Sequence, residues 1–97
     1  RVNRLVNVIL FEAELRSRLD RKELNARQYA IVMHVLKNGG PMPVDELRLA
    51  PWYRALYLRR TDKTKQRDLS RLREQRLLKQ DKQGRFWPGF VAVPEQD

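Results

Sequence analysis

The stretch RRTDKTKQRDLSRLREQRLL, residues 59–78, combines leucines at helical intervals with a basic residue at almost every second or third position. Thr61 is a favourable N-cap residue, and Asp62 follows it in the first turn, where the helix dipole stabilises a negative charge. The helical pattern ends near Leu77 and Leu78. The stretch therefore predicts a basic helix that begins after Thr61 and ends close to these two leucines.

This helix is predicted to have one buried face and one charged face. Leu69, Leu72 and the aliphatic stem of Arg76 are expected to point inward, and the stem of Lys65 is expected to cover the edge of the core. The cations expected to point outward are Lys63, Arg67 and Arg71. Such a helix is either solvated on its charged side or placed against an anionic partner.

The distribution of charge favours an anionic partner. The chain has a net charge of +9, and residues 59–85 hold eleven basic and four acidic residues, a net +7. The other seventy residues carry only +2. A basic patch within one short segment is typical of a surface that faces nucleic acid. A lysine- and arginine-rich helix face that is merely solvated remains the alternative.

Length and composition indicate one small globular domain. Ninety-seven residues, 41% of them hydrophobic, suffice for a single core and leave no room for a second domain. The absence of cysteine excludes disulfides and thiolate metal sites and fits a reducing, cytoplasmic location. The longest apolar run, at 29–33, is far too short to span a membrane. Because the chain begins with Arg1 instead of Met, we expect it to be a fragment of a longer protein.

A second helix start lies at LNARQ, residues 24–28. Asn25 can cap a helix that begins at Ala26, and Gln28 stands at the third helical position, as in a capping box. Leu24 and Tyr29 can form the hydrophobic staple of this helix start. NGG at 38–40 is typical of a left-handed helix end.

The segment after this second helix predicts an extended piece and two short helices. PMP at 41–43 suits a short edge strand, and Pro43 is expected to be the first residue of the first short helix. Pro51 is expected to open the second. Within it, Trp52, Leu56 and Leu58 are predicted core residues, whereas Tyr53 and Tyr57 are predicted to lie at the edge of the core.

The chain then predicts a β-hairpin. LLKQ is the first strand, DKQG the turn and RFWPGFVAV the return strand, with Gly84 as the residue of positive φ. Pro88 and Gly89 should break or bulge the return strand.

Residues 2–19 predict an amphipathic helix that is apolar around more of its circumference than one small core needs. It is expected either to wrap the domain core or to dock on another chain or on a missing domain. The candidate interaction residues are Val2, Leu5, Val6, Ile9, Leu10 and Phe11.

This order of elements predicts a mainly α fold with a small β-hairpin, and more specifically a winged helix-turn-helix. In that architecture the long basic helix is the recognition helix and the hairpin is the wing. We expect an N-terminal packing or dimerisation helix at 1–22, the winged helix-turn-helix domain at 23–93 and a frayed tail at 94–97.

Two motifs resemble the C-terminal winged-helix domain of bacterial Fic-family proteins. The first is the helix start Leu24, Asn25, Arg27 and Gln28. The second is the basic-helix pattern Thr61, Thr64, Arg67, Asp68, Leu69 and Leu72, which is also similar to that of DeoR-type transcription regulators. The resemblance covers roughly residues 24–86. The departures are a longer second helix, in APWYRALYL, and RFWPGF in the wing.

The resemblance implies that the full-length parent is an AMP transferase. In that family a His-Pro-Phe-x-x-Gly-Asn-Gly-Arg loop of the catalytic core transfers AMP to a protein hydroxyl, and this chain contains no such loop. His34 is the only histidine, and its position within a helix favours a structural role. No residue spacing suggests a metal ligand set or a phosphate-binding loop. We therefore expect neither catalysis nor a cofactor in this chain.

Two functions remain open. One is binding of double-stranded DNA, with arginine and glutamine suited to base edges and lysine and threonine to phosphates. Its candidate residues are Thr61, Lys63, Thr64, Lys65, Gln66, Arg67, Arg71, Lys79, Lys82 and Arg85. The other is a protein-interaction or dimerisation module, through residues 2–19, that positions or regulates a Fic catalytic core without nucleic acid.

Overall fold

The structure, a computed structural model, describes residues 2–93, with side chains from residue 5 onward. The predictions for the side chain of Val2 and for the tail at 94–97 fall outside the described residues. Five helices and a two-stranded antiparallel sheet follow one another within residues 2–93. They are α1 Val2–Asp20, α2 Ala26–Asn38, α3 Val44–Leu49, α4 Pro51–Leu56, α5 Asp62–Glu74, β1 Leu78–Gln80 and β2 Phe86–Pro88. The prediction of a mainly helical fold with a small hairpin is therefore confirmed.

α2 is the central helix of the core. It begins with the predicted capping box: the Asn25 side chain accepts from the backbone N–H of Gln28, and the Gln28 side chain accepts from that of Asn25. It ends at Gly39, whose φ of 80° is left-handed, as the NGG sequence predicted. Ile31, Val32 and Val35 are fully buried along one face, so α2 packs against α1, α5 and β2.

Only the second half of α1 belongs to the core. Leu15 is fully buried, and Phe11 packs on Phe90 with ring centroids 5.1 Å apart. Leu5 and Ile9, by contrast, are 67% and 55% exposed. Leu5, Val6, Ile9 and Leu10 thus form an apolar face of α1 that the rest of the described chain leaves uncovered.

The two short helices differ from the sequence prediction in their aromatic residues. Pro51 is the first residue of α4 as predicted, whereas Pro43 precedes α3 as its N-cap residue. Tyr53 and Tyr57 are buried at 3% and 4% exposure, and Leu58 is 80% exposed. The prediction that the tyrosines lie at the edge and Leu58 in the core was wrong. The predicted core residues Trp52 and Leu56 are only partly buried.

The end of α5 also differs from the prediction. The helix ends at Glu74, because Arg76 adopts a left-handed φ of 62°. Arg76 is exposed, so its stem does not join the inward face that Leu72 and the partly buried Leu69 provide.

The predicted hairpin forms, with Gln80 opposite Phe86 and, as predicted, a positive φ of 81° at Gly84. Phe86 also exchanges backbone hydrogen bonds with Met42, which makes the extended segment before α3 an edge partner of the sheet. The strand breaks at Pro88 as predicted, but β2 covers only Phe86–Pro88, and residues 90–93, predicted as part of the return strand, form no strand. A side chain at Gly89 would place Cβ 1.9 Å from the carbonyl oxygen of Arg76, so only glycine fits there.

No helix within residues 2–93 is long and apolar enough to cross a membrane.

Candidate nucleic-acid interface

The basic helix α5 is held in place by a buried carboxylate on its inner side. The Asp68 side chain is 5% exposed, and its oxygens accept hydrogen bonds from three residues, two at the start of α2 and one at the end of α4. Arg27 donates through Nε to Oδ2 at 2.8 Å and through Nη2 to Oδ1 at 3.3 Å. Asn25 Nδ2 donates to Oδ1 at 3.2 Å, and the Tyr57 hydroxyl donates to Oδ2 at 2.6 Å.

We call this set, together with Gln28, the Asp68 network. Gln28 Nε2 lies 3.4 Å from the backbone oxygen of Asp68. The network therefore joins the helix start at 24–28 to the Arg-Asp-Leu sequence of α5. The i,i+3 spacing on α5 predicts Arg71 as the helix-surface partner of Asp68, but the structure pairs Asp68 with Arg27 instead. The available signal was the position of Asp68 beside Leu72 on the helical wheel, because a buried carboxylate requires donors from elsewhere in the fold.

The charge states in the network are set by these contacts. Burial alone would raise the pKa of Asp68, but the hydrogen bonds from Arg27, Tyr57 and Asn25 outweigh it and hold the pKa below its usual value. Burial and the Asp68 carboxylate together raise the pKa of Tyr57, so its hydroxyl stays protonated and donates. Asp68 is thus ionised, and its negative charge is paired with Arg27. It does not neutralise the exposed cations on the outer side of α5.

The outer face of α5 presents the predicted cations to solvent. Lys63, Arg67 and Arg71 are exposed at intervals of four residues, which places them along one side of the helix. Gln66 is exposed on one flank, and Arg73, which sequence reasoning did not select, is exposed on the same flank. Arg73 lies in the last turn of α5, outside the N-terminal part of the helix for which DNA contacts were predicted.

The remaining candidate residues of α5 make contacts within the protein. Thr61 is the N-cap residue, and its Oγ1 accepts from the backbone N–H of Thr64 at 3.3 Å. Lys65 is half-buried and forms an ion pair with Asp62, with Nζ 3.6 Å from Oδ1. An exposed pair of this kind contributes little to stability, about 0 to 1 kcal/mol, so Lys65 is free to exchange Asp62 for another anion.

Two clefts flank α5. One, of about 440 Å³, lies between residues 22–28 and α5, and we call it the basic cleft. It is lined by Lys22, Arg27, Thr64, Arg67 and Arg71, together with the acidic residues Glu23 and Asp68. The second, of about 580 Å³, lies on the other flank and includes Lys65, Gln66 and Leu69. Lys22 is a lining residue that sequence reasoning did not identify, because it is distant from α5 in the chain.

Two of the three candidate cations of the hairpin donate hydrogen bonds to other groups of the chain. Lys79 Nζ donates to the backbone oxygen of Val91 at 3.1 Å. Arg85 Nε donates to Asp81 Oδ2 at 2.8 Å. Lys82 is exposed in the turn. The structure therefore brings Lys63, Arg67 and Arg71 together along one side of α5, whereas Lys82 is the one of the three hairpin candidates that is exposed.

His34 lies outside this surface. Its ring stacks on Trp52 with centroids 3.7 Å apart and an interplanar angle of 8°. Burial and the nearby Lys37 lower the pKa of His34, so the neutral ring is favoured against the indole. This geometry gives the only histidine a packing role.

Comparison with protein-family models, with curated proteins and with solved structures found no significant match to this chain.

Proposed function

We propose that this chain is a winged helix-turn-helix domain that binds double-stranded DNA through α5, with a role in transcription regulation. The proposal depends most on the fact that α5 has one buried side and one exposed basic side. Asp68 and Leu72 are buried. On the opposite side Lys63, Arg67 and Arg71 are exposed. Rigid attachment on one side and several cations on the other are what a helix needs to meet phosphates in a defined orientation.

The roles follow from side-chain chemistry. Arg67 and Gln66 are suited to base edges in the major groove. Arginine can donate two hydrogen bonds to guanine, and glutamine can donate one hydrogen bond to adenine and accept another from it. Lys63, Thr64 and Arg71 are suited to phosphates, and we assign the exposed Lys82 of the turn to the DNA backbone as a residue of the wing. The resemblance of the two motifs to Fic-family tails supports the proposal that the parent protein belongs to that family.

The proposal is tested with two double variants that each lower the net charge by two. Lys63→Ala with Arg67→Ala removes two cations from the outer face of α5, and Arg16→Ala with Lys37→Ala removes two exposed cations from α1 and α2. We measure the fluorescence anisotropy of a labelled random-sequence duplex at low salt. We expect the α5 variant to bind at least tenfold more weakly and the control to bind within about threefold of wild type, since contacts and not net charge carry the affinity.

Equal losses in the two variants would contradict a binding surface on α5, and absence of binding by wild type would refute DNA binding altogether.

A second candidate function is self-association through α1. Leu5, Val6, Ile9 and Leu10 are 67%, 45%, 55% and 61% exposed, and contiguous exposed apolar patches mark interaction surfaces. Residues 5–15 contain no lysine or arginine in a chain of net charge +9. Two copies of the chain can therefore pack through this face without bringing their cations together. We propose that the partner of this face is a second copy of the chain.

Sedimentation equilibrium tests this second function. Ile9→Glu places a charge on the apolar face of α1, and Leu58→Glu places the same charge on an exposed leucine elsewhere, which is 80% accessible. We expect a dimer for wild type and Leu58→Glu and a monomer for Ile9→Glu. A monomeric wild type at all concentrations would exclude self-association as a function.

A further inference from the structure

Two helices of this chain end in the same hydrogen-bond motif with a cation at the left-handed position. At the end of α1, Lys22 has a φ of 67°, its N–H donates to the Leu19 oxygen at 3.0 Å, and the Glu23 N–H donates to the Arg18 oxygen at 2.8 Å. At the end of α5, Arg76 has a φ of 62° with the equivalent pair of hydrogen bonds. Glycine is the usual residue here, because a Cβ atom makes this conformation sterically costly.

Lys22 differs from Arg76 in what it faces. Lys22 lines the basic cleft opposite α5, where Arg67 and Arg71 line the other wall, and Arg76 does not line it. The cleft thus brings a cation from the end of α1 together with two cations of the basic helix.

The acidic residues of the cleft are already paired. Glu23 accepts from Arg21, with Nε 3.0 Å from Oε2, and Asp68 accepts from Arg27. The N-terminus of α2 is also engaged, because Asn25 caps the N–H of Gln28. The positive potential of the cleft therefore comes from the side chains of Lys22, Arg67 and Arg71.

We propose that the basic cleft binds one backbone phosphate of duplex DNA between Lys22 on one wall and Arg71 on the other, while Arg67 of the same wall stays available for a base edge. This inference rests on the proposed function and adds to it a contact from outside α5 and the hairpin. A volume of about 440 Å³ corresponds to roughly fifteen water molecules, enough for a hydrated phosphodiester group. A phosphate bound both by the segment after α1 and by α5 fixes the angle at which α5 enters the major groove. Phosphate contacts generally fix the orientation of a protein on a duplex in this way.

This phosphate contact is tested with Lys22→Gly, and Arg76→Gly is its matched control. Each variant removes one cation from a left-handed position and relieves the same steric cost, so both are expected to unfold at a temperature no lower than wild type. We measure the dissociation constant of a random-sequence duplex at several salt concentrations. Each lost phosphate contact reduces the slope of log affinity against log salt by about 0.9 for duplex DNA.

The proposal predicts weaker binding and a slope reduced by up to about 0.9 for Lys22→Gly, because Arg71 still contacts the same phosphate, and an unchanged slope for Arg76→Gly. An unchanged slope for Lys22→Gly, or an equal reduction in both variants, would overturn the phosphate contact while leaving DNA binding by α5 intact. Absence of duplex binding by wild type would overturn the proposed function and the phosphate contact together, so the two failures are distinguishable.

Discussion

Asp68 connects the helix that we propose to meet DNA with the rest of the fold. A buried carboxylate is costly unless donors surround it, and here Arg27, Asn25 and Tyr57 supply them. The guanidinium of Arg27 also lies 5.8 Å from the centre of the Tyr57 ring. The position and tilt of α5 therefore depend on one carboxylate, which lies in the sequence between Arg67 and Leu69.

Removing the carboxylate should be strongly destabilising. We expect Asp68→Ala to lower the free energy of unfolding by about 3 kcal/mol, because Arg27 is left largely buried without its anion. Arg27→Ala should cost less, about 1 to 3 kcal/mol, since Tyr57 and Asn25 still donate to Asp68. Denaturant unfolding of both single variants and the double variant measures the coupling between the two residues.

The exposed Glu74, near the end of the same helix, is the control for loss of a carboxylate, and Glu74→Ala should stay within about 0.5 kcal/mol of wild type. A coupling energy near zero between residues 27 and 68 would contradict the ion pair.

The depressed pKa of Asp68 gives its contribution a pH dependence of known sign. The folded state holds this carboxyl ionised at a pH where the unfolded state, with a pKa near 3.8, binds a proton. The contribution is therefore complete above the unfolded pKa and is lost as the pH falls through the lower folded pKa. We expect the stability difference between wild type and Asp68→Ala to be constant above about pH 5 and to shrink below about pH 4. A difference that grows as the pH falls would refute this assignment.

At the scale of the element, the hairpin depends on a second carboxylate. Asp81 accepts from the backbone N–H groups of Gln83 and Arg85, from Arg85 Nε and from Trp87 Nε1, all at 2.8 to 3.0 Å. Burial would raise the pKa of Asp81, but the hydrogen bonds from Trp87 and Arg85 lower it overall. This residue fixes the turn, whereas the two-stranded ladder is only three residues long.

We expect Asp81→Ala to loosen the hairpin without unfolding the helices. The indole N–H of Trp87 and the amide of Arg85 should exchange with solvent faster, as measured by hydrogen exchange in NMR, while the amides of α2 keep their protection. Asp45→Ala is the control, because the Asp45 side chain is 88% exposed. Unchanged exchange at Trp87 would show that the turn does not require this carboxylate.

Local patterns predicted most elements of the fold. The capping box of α2, the N-cap of α5 and the left-handed glycines depend on residues within a few positions of one another, and these predictions are confirmed. The burial of Tyr57 depends on Asp68, eleven residues away, which satisfies its hydroxyl inside the core. No local pattern contains that contact, so the two tyrosines were wrongly placed at the edge.

The end of α5 was missed for a related reason. Arg76 is a poor residue for a left-handed position, and the helical spacing of Leu72 and Arg76 favoured another turn. The structure ends the helix at Glu74 because Leu77 and Leu78 must both enter the core, where they are 3% and 1% exposed. Tertiary packing thus overrides the local preference of Arg76.

Considered as a whole, the molecule presents two surfaces of opposite chemistry. One is the basic outer face of α5 with the adjoining basic cleft, and the other is the apolar face of α1 at Leu5, Val6, Ile9 and Leu10. The sequence predicted both faces, because each depends on periodicity within a single helix. It could not predict the basic cleft, since Lys22 and α5 are joined there only by folding.

The most direct measurement is a titration of the isotope-labelled chain with an unlabelled DNA duplex at low salt, followed by NMR chemical shifts. We predict that the largest shifts fall on the outer residues of α5, from Lys63 to Arg71, and on Lys22, while the apolar face of α1 is unaffected. Shifts confined to Leu5, Val6, Ile9 and Leu10, or no shifts at all, would contradict DNA binding through α5.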